Sequence, residues 1–238
     1  MHEITNFYRE VINNIEGWIT DSEGLFLYES AKNVKPENVI VEIGSWKGKS
    51  TTWLGAGSQN GNRAKVYAVD LHTGTYKHHV MSEINTFEKF KQNITKAGVS
   101  EFIKPIIDSS ENAAGNFTQP IEFIFIDAAH EYEAVNLDFK VWFPKVINGG
   151  ILAFHDSWRF LGPSLFTFLQ LLFSSRVRNP RLIDTITCFE KVERNSFLDR
   201  IRNISFVIYR GMFGVIGFLK LEYSKHKMQA TLQSQNLY

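Results

Sequence analysis

The sequence predicts an α/β fold in which a mostly parallel sheet carries helices on both faces. Short apolar runs alternate with helix-length segments from residue 39 to about residue 190, which is the pattern of βαβ units. Apolar residues make up 44% of the 238 residues, and a chain of this size and composition buries a full core. One large α/β domain is therefore predicted rather than two small ones.

Residues 1–38 come before the first predicted strand and are expected to form one or two helices that cover the sheet or its ligand. The segment SEGLFLYESAK (22–32) has the clearer helical pattern. The domain itself is predicted to run over residues 39–192, followed by a C-terminal helical tail over residues 193–238.

Five apolar runs predict the central strands, because each is short and rich in β-branched or aromatic residues. In chain order they are NVIVEIG (38–44), KVYAVDL (65–71), FIKPIID (102–108), IEFIFID (121–127) and GILAFHD (150–156). Between them, INTFEKFKQNITKAG (84–98) and EYEAVNLDFKVWF (131–143) have helical spacing and polar faces. Residues 181–192 alternate enough to predict one or two edge strands.

The tail contains the longest apolar run, ISFVIYRGMFGVIGFLKL (204–221). Arg210 near its middle and three glycines argue against a membrane span. We expect a helix that packs on its own domain or on a sister subunit of a homo-oligomer, and the alternative is a helix lying on a membrane surface.

Charge and cysteine content narrow the function classes. Lysine plus arginine number 26 against 25 acidic residues, so a nucleic-acid partner is not expected. The single cysteine, Cys188, is expected to fill core space beside Ile186 and Phe189. The first thirty residues lack a secretory signal pattern, which predicts a cytoplasmic protein.

Acidic residues recur at the ends of the predicted strands, and this is the main indication of a site. Glu42, Asp70, Asp127 and Asp156 lie at the ends of four runs, and Asp108 ends the remaining one. Because the carboxyl ends of parallel strands form the ligand crevice of an open sheet, these acids are expected to share one rim.

The stretch EIGSWKGKST (42–51) predicts a strand, a glycine loop and the start of a helix. One interpretation is a phosphate-binding loop ending in GKS, but Ile43 stands where that motif needs glycine. The other is an adenosine site in which Asp70, at the end of the next strand, accepts hydrogen bonds from ribose hydroxyls. A ligand with ribose, a positive centre and no phosphate, such as S-adenosylmethionine, suits such a carboxylate-rich pocket.

Four blocks of the sequence together resemble the class I S-adenosylmethionine-dependent methyltransferases. They are VEIGSWKGKST, YAVDLHTGTYKH, TFEKFKQNITKAGVSEFIKPIIDSSENAA and FIFIDAAHEYEAVNLDFKVWFPKVINGGILAFHDSW. The likeness runs from about Gly17 to Val192 and is nearest to the subgroup of macrocin-type sugar O-methyltransferases and cephalosporin hydroxylase-like proteins. It implies a Rossmann-like, doubly wound, mostly parallel seven-stranded sheet and O-methylation of a hydroxyl on a sugar, glycan or other small molecule.

The resemblance also assigns residues. It implies that S-adenosylmethionine is bound by Glu42, Gly44, Ser45, Gly48, Ser50, Asp70, Leu71, Asp108, Ser109, Ser110 and Asp127. It further implies that Asp127 and His130 are catalytic, with His130 as the general base.

Metal-dependent relatives hold a divalent ion at the positions of Asp127 and Asp156, so Mg2+ is an expected second cofactor. This chain departs from some of them in carrying Ser157 directly after the later aspartate, where an acid or amide would be a stronger ligand. His155 is expected to be structural, because it points to the opposite face of its strand from Asp156. His72 is expected to close over the cofactor.

Two other functions stay open at the level of sequence. A cofactor-binding module without catalysis, associated with a membrane or a partner through the tail, is one alternative. A nucleotide hydrolase based on the GKST stretch is the other.

Overall fold

The computed structural model describes residues 6–73 and 85–211. Seven strands form one sheet: β1 (Val39–Ile43), β2 (Val66–Val69), β3 (Ile103–Ile106), β4 (Ile121–Ile126), β5 (Val146–Phe154), β6 (Val177–Ile183) and β7 (Ile186–Lys191). Their order is β3-β2-β1-β4-β5-β7-β6, with β1 to β5 parallel and β7 antiparallel to both of its neighbours. The predicted mostly parallel, seven-stranded α/β fold is confirmed.

Helices cover both faces of this sheet. They are α1 (Asn6–Asn13), α2 (Asp21–Asn33), α3 (Lys49–Gln59), α4 (Phe87–Lys96), α5 (Ser110–Asn116), α6 (Tyr132–Trp142), α7 (Leu161–Phe173) and α8, which spans residues 197–211 up to the last described residue. Side chains of one strand alternate between two separate cores: Phe123 and Phe125 of β4 join one, whereas Ile124 and Ile126 join the other. Burial on both faces explains why the central strands are almost continuously apolar.

The prediction of one or two edge strands over residues 181–192 is partly right, because β6 forms the edge of the sheet. β6 begins at Val177, earlier than predicted, and turns at Asp184, which has a left-handed φ of 48°. β7 is not an edge strand, because it lies between β5 and β6 with Leu152 paired to Phe189. Cys188 is buried in β7 as predicted, and burial raises the pKa of its thiol to about 11.

Helix α2 packs into the same core as the sheet through unusually close backbone approach to α3. A β-carbon on Gly24 would lie 2.2 Å from the ring of Trp53, and one on Gly57 would lie 2.2 Å from the carbonyl oxygen of Tyr28. The helix begins with a capping box in which Thr20 and Glu23 each bond the other's backbone N–H. Glycine at these two positions therefore fixes the distance between α2 and α3.

Helix α8 is anchored by its polar side chains. The buried guanidinium of Arg210 donates to Thr167 Oγ1 at 3.0 Å, to Ser164 Oγ at 3.2 Å and to the carbonyl of Ser157. The described part of the predicted 204–221 segment is thus a helix packed on its own domain, and residues 212–221 lie outside the described residues. Among the described helices, none has the length and apolarity needed to cross a bilayer.

The α2–α3 contact gives a stability test. We expect Gly24→Ala to lower the free energy of unfolding by roughly 2–4 kcal/mol, because the new methyl group must displace Trp53 in a packed core. Gly115→Ala in α5 is the matched control, since its β-carbon meets no atom within 4 Å. Urea denaturation of both variants measures the difference, and equal stabilities would contradict the close-packing argument.

Candidate active site

The rim predicted from the strand ends exists. The residue after each strand continues the pairing of the sheet: the amides of Gly44, Asp70 and Asp127 donate to the carbonyls of Val69, Ile106 and Ile43 at 2.9, 3.1 and 2.9 Å. These bonds bring the loops after β1, β2 and β4 to one edge. The strand order reverses direction between β1 and β4, which is the point where open α/β sheets bind ligands.

The structure shows why glycine is needed at two positions of the loop. Gly44 has a φ of 90°, and a β-carbon there would lie 2.3 Å from the carbonyl oxygen of Asp127. Gly48 has a φ of 86° and directly precedes the first residue of α3. Gly44 is therefore required for the loop to pack against β4, as well as for any approach to a ligand.

Asp70, predicted to bind ribose, also organises the two loops beside it. Its carboxylate accepts from the amide of Trp46 at 2.7 Å and from the amide of His72 at 2.6 Å. Both of those residues have left-handed φ angles, 43° and 55°. An ionised carboxylate has about four lone-pair sites, so Asp70 keeps acceptor capacity for a ligand.

Three buried polar atoms near the glycine loop have no hydrogen-bond partner among the described residues: Glu42 Oε1, Ser45 Oγ and His72 Nε2. The other Glu42 oxygen accepts from Thr51 Oγ1. Burial raises the pKa of Glu42 to about 8, against the opposing effect of hydrogen bonds from Ser50 and Thr51. Unpartnered buried polar atoms are costly, so this group fits a bound polar molecule and supports the predicted cofactor loop.

The residues after β3 make mainly local bonds. Asp108 Oδ1 accepts from the amide of Ser109 at 2.7 Å, and the Ser109 side chain caps α5. Ser110 Oγ accepts from the indole of Trp142 at 2.9 Å. Leu71, on the β2 side, is half exposed. These contacts account for the residue types of this corner without a ligand.

Beside the glycine loop, a buried histidine joins two carboxylates from distant parts of the chain. His155 Nδ1 lies 2.9 Å from Asp127 Oδ1, and its Nε2 lies 3.4 Å from Glu23 Oε2 in α2. Glu23 also accepts from the Thr185 amide at 2.9 Å and the Thr185 hydroxyl at 2.6 Å. His155 is therefore buried and in direct contact with Asp127, a predicted catalytic residue, and its structural role stays a prediction.

The charges of this group stabilise one another. Burial alone would lower the pKa of His155, but Asp127, Glu23 and Asp156 outweigh burial and raise it to about 10. Burial would likewise raise the pKa of Glu23, but hydrogen bonds from His155, Thr185 and Thr20 lower it to about 2. Both groups are thus charged at neutral pH.

His130, the predicted general base, lies two residues before α6 and faces Asp156. Its Nε2 is 3.2 Å from Asp156 Oδ2, and its ring stacks on Phe160 with centroids 4.2 Å apart. A β-carbon on Gly162 would lie 2.1 Å from the His130 carbonyl oxygen, so the start of α7 holds this loop closely. The imidazole stays one-third exposed, which leaves it open to a substrate.

The expected magnesium site is not supported by this geometry. Among the described residues, no group of three or more His, Cys, Asp or Glu side chains is placed to hold a metal ion. Asp127 and Asp156 are instead paired with His155 and His130. Ser157 does not complete a site, because its hydroxyl bonds the Thr185 carbonyl at 2.8 Å.

Sequence reasoning missed three residues of this site. In the sequence, Glu23 shows only a helix-capping pattern, and Thr51 shows no functional signal. Phe160 is indicated only by its position shortly after Asp156, the last aspartate of the rim. The capping box explains why α2 begins where it does, but nothing in the local sequence indicates that the same carboxylate reaches His155.

Residues 41–157 match the family model described as a methyltransferase domain. A curated relative, an uncharacterized protein of Acanthamoeba polyphaga mimivirus, is 27% identical over 132 residues, which is 51% of this chain and 52% of that protein. The chain thus spans about half the length of the relative that it matches.

Solved structures share the fold at low identity. The O-methyltransferase from Bacillus cereus, in complex with S-adenosylhomocysteine, aligns with a TM-score of 0.58 at 18% identity, covering 80% of this chain and 93% of that one. The O-methyltransferase TomG from Streptomyces achromogenes, in complex with S-adenosylmethionine, aligns with a TM-score of 0.58 at 14% identity, covering 80% and 91%. The matched region contains the glycine loop, Asp70, Asp127 and His130, and the chain shares its fold with these solved structures.

The charge state of Glu23 gives a pH-dependent prediction. Because its pKa is about 2 in the folded state against 4.5 ordinarily, its ionised form stabilises the fold above pH 4.5, and this contribution is lost as the pH falls toward 2. Above pH 4.5, we expect the free energy of unfolding of the wild type to exceed that of Glu23→Gln by about 3 kcal/mol. This difference should shrink as the pH falls toward 2.

Denaturant titration at a series of pH values measures this difference. Glu29→Gln, on an exposed position of the same helix, is the control and should show no comparable pH dependence. If the difference in free energy of unfolding between wild type and Glu23→Gln stayed constant as the pH fell from 4.5 toward 2, Glu23 would not be the group whose ionised form stabilises the fold.

Proposed function

We propose that the protein is an S-adenosylmethionine-dependent O-methyltransferase that acts on a hydroxyl of a sugar or another small molecule. The observation that carries the proposal is the placement of two arrays at one sheet edge. The unpartnered polar atoms of Glu42, Ser45 and His72 lie beside the glycine loop, and the His130–Asp156 pair follows β4 and β5.

The residues present fit the cofactor. Ser45 and His72 offer unpartnered polar atoms, and Asp70 retains acceptor capacity for ribose hydroxyls. A positive sulfonium centre beside Glu42 would favour the ionised form of this carboxyl, whose pKa burial otherwise raises to about 8. When bound, S-adenosylmethionine supplies a methyl group that is transferred by in-line displacement to a nucleophilic oxygen.

The chain's own contribution is then alignment and removal of a proton. Asp156 Oδ2 lies 3.2 Å from His130 Nε2 and favours the tautomer with its proton on Nε2, so that Nδ1 is the basic nitrogen that accepts the proton of an acceptor hydroxyl. Contacts with His130 and His155 hold the pKa of Asp156 below its usual value, against the opposing effect of burial. Asp156 is therefore ionised, and its negative charge stabilises the imidazolium that forms. Asp127 borders the same space and is oriented by His155. No step is assigned to a metal.

The phosphate-loop alternative loses its main residue. In a phosphate-binding loop, Lys49 would have to reach the phosphate. Its ammonium group instead donates a hydrogen bond to the carbonyl oxygen of Gly17 at 3.2 Å. The non-catalytic alternative predicts cofactor binding without turnover, and the two experiments below separate it from the enzyme.

Cofactor binding is tested by calorimetric titration with S-adenosylmethionine, S-adenosylhomocysteine and ATP with magnesium. We expect the first two to bind and ATP not to bind. Ser45→Ala should weaken S-adenosylmethionine roughly fivefold without loss of stability, because the hydroxyl has no partner among the described residues. Asp70→Ala should lose both binding and loop order. Binding of ATP alone would overturn the methyltransferase proposal.

Catalysis is tested by release of S-adenosylhomocysteine across a panel of sugar and phenolic acceptors, with and without EDTA. His130→Gln should lower kcat on any acceptor found by about 10²–10⁴-fold while S-adenosylmethionine affinity stays unchanged. His78→Gln serves as a control histidine from another part of the chain. EDTA should leave the rate unchanged, and a rate that requires added Mg2+ would instead support the metal-dependent form of the reaction.

A further inference from the structure

The outer side of α8 carries an apolar stripe, defined as Phe197, Ile201, Ile204 and Ile208. These side chains are 78%, 45%, 40% and 58% exposed. Their spacing of three and four residues places them in a narrow arc of the helix surface. An exposed row of this kind is uncommon on a soluble surface and marks an interaction site.

The inner side of the same helix is fixed by buried hydrogen bonds and by Val207, which joins the hydrophobic core. Asn203 donates to the Val177 carbonyl at 2.9 Å, and Arg210 donates to Thr167 and Ser164. Asp199 accepts from the amide and the hydroxyl of Ser196 at 2.9 and 2.7 Å, at the start of the helix. The helix therefore cannot roll to bury the stripe without breaking buried hydrogen bonds, so the stripe is held outward.

The stripe lies in a basic part of the described chain. Residues 174–211 contain eight arginine and lysine residues against four acidic ones, whereas the whole chain has a net charge of +1. The Arg202 side chain on α8 is 65% exposed. Apolar side chains flanked by arginine are the composition of helices that lie in a membrane interface.

A groove beside the stripe adds guanidinium groups to this surface. It has a volume of about 450 Å³ and lies between α8 and the edge strand β6, lined by Asn179, Pro180, Arg181, Ile201, Arg202, Ser205 and Phe206. Arginine binds phosphate in a bidentate manner, and the apolar members of the lining suit the glycerol and upper acyl region of a lipid.

We propose that the α8 stripe docks on the surface of an anionic phospholipid bilayer, with its isoleucines below the headgroups and the nearby arginines among them. A second copy of the chain is disfavoured as the occupant, because a two-fold interface over this face would bring two basic surfaces together. The proposal does not depend on the methyl-transfer proposal, since docking requires neither cofactor nor acceptor.

Co-sedimentation of the full chain with phosphatidylcholine vesicles, with and without phosphatidylserine, tests docking. We expect binding to the anionic vesicles that weakens as salt is added, and little binding to the neutral ones. The double variant Ile201→Glu/Ile208→Glu should lower the affinity at least roughly tenfold, because charge is placed in the apolar interface. Leu137→Glu in α6 is the matched control, since this leucine is 42% exposed on another helix.

A second arm tests the charge. Arg202→Glu should weaken binding to anionic vesicles, whereas Lys96→Glu, on an exposed position of α4, should not. Circular dichroism of each variant checks that it is folded. These positions are exposed, so native spectra are expected.

Three outcomes overturn the proposal. In the first, the wild-type chain stays in the supernatant when anionic vesicles are sedimented. In the second, the Ile201→Glu/Ile208→Glu variant binds anionic vesicles as tightly as the wild-type chain does. The third is a concentration-dependent dimer in sedimentation velocity that the double variant abolishes while vesicle binding is absent, which would assign the stripe to a second copy.

Discussion

The parallel pairing of β1 with β4 at the centre of the sheet is the constraint on which the rest of the structure depends. It places the loop after β1 against the end of β4 so closely that only glycine fits at position 44, next to the Asp127 carbonyl. From this contact the glycine loop turns away to begin α3, while the chain after β4 proceeds to His130. The glycine loop and His130 are therefore both placed relative to this one backbone contact.

The site is also where the fold buries its charges. Glu23, His155 and Asp127 form a continuous chain of two carboxylates and one imidazole, with Glu23 fully buried and His155 nearly so. Removing charges from water is costly, and such a group persists only where partners satisfy its hydrogen bonds. Thr20 and Thr185 do so for Glu23. As a result, helix α2, the β6–β7 turn and the sheet edge that holds the candidate site are mutually dependent for stability.

Helix α8 reverses the usual arrangement of an amphipathic helix. Its inner side is fixed by Asn203 and Arg210, and its outer side is apolar. Hydrophobic burial normally decides how a surface helix is oriented. Here, the hydrogen bonds of Asn203 and Arg210 act together with the burial of Val207, and the apolar residues of the stripe remain at the surface that we assign to a bilayer.

The sequence by itself determined the strands, most of the helices and the acids of the rim. Apolar runs such as IEFIFID are local signals whose period follows from backbone geometry, and parallel pairing then gathers Glu42, Asp70 and Asp127 at one edge. Only the tertiary structure decided which groups meet there. Glu23 and His155 lie far apart in the chain, and no local pattern encodes their contact. The same holds for β7, predicted as an edge strand, whose central place depends on its pairing with β5.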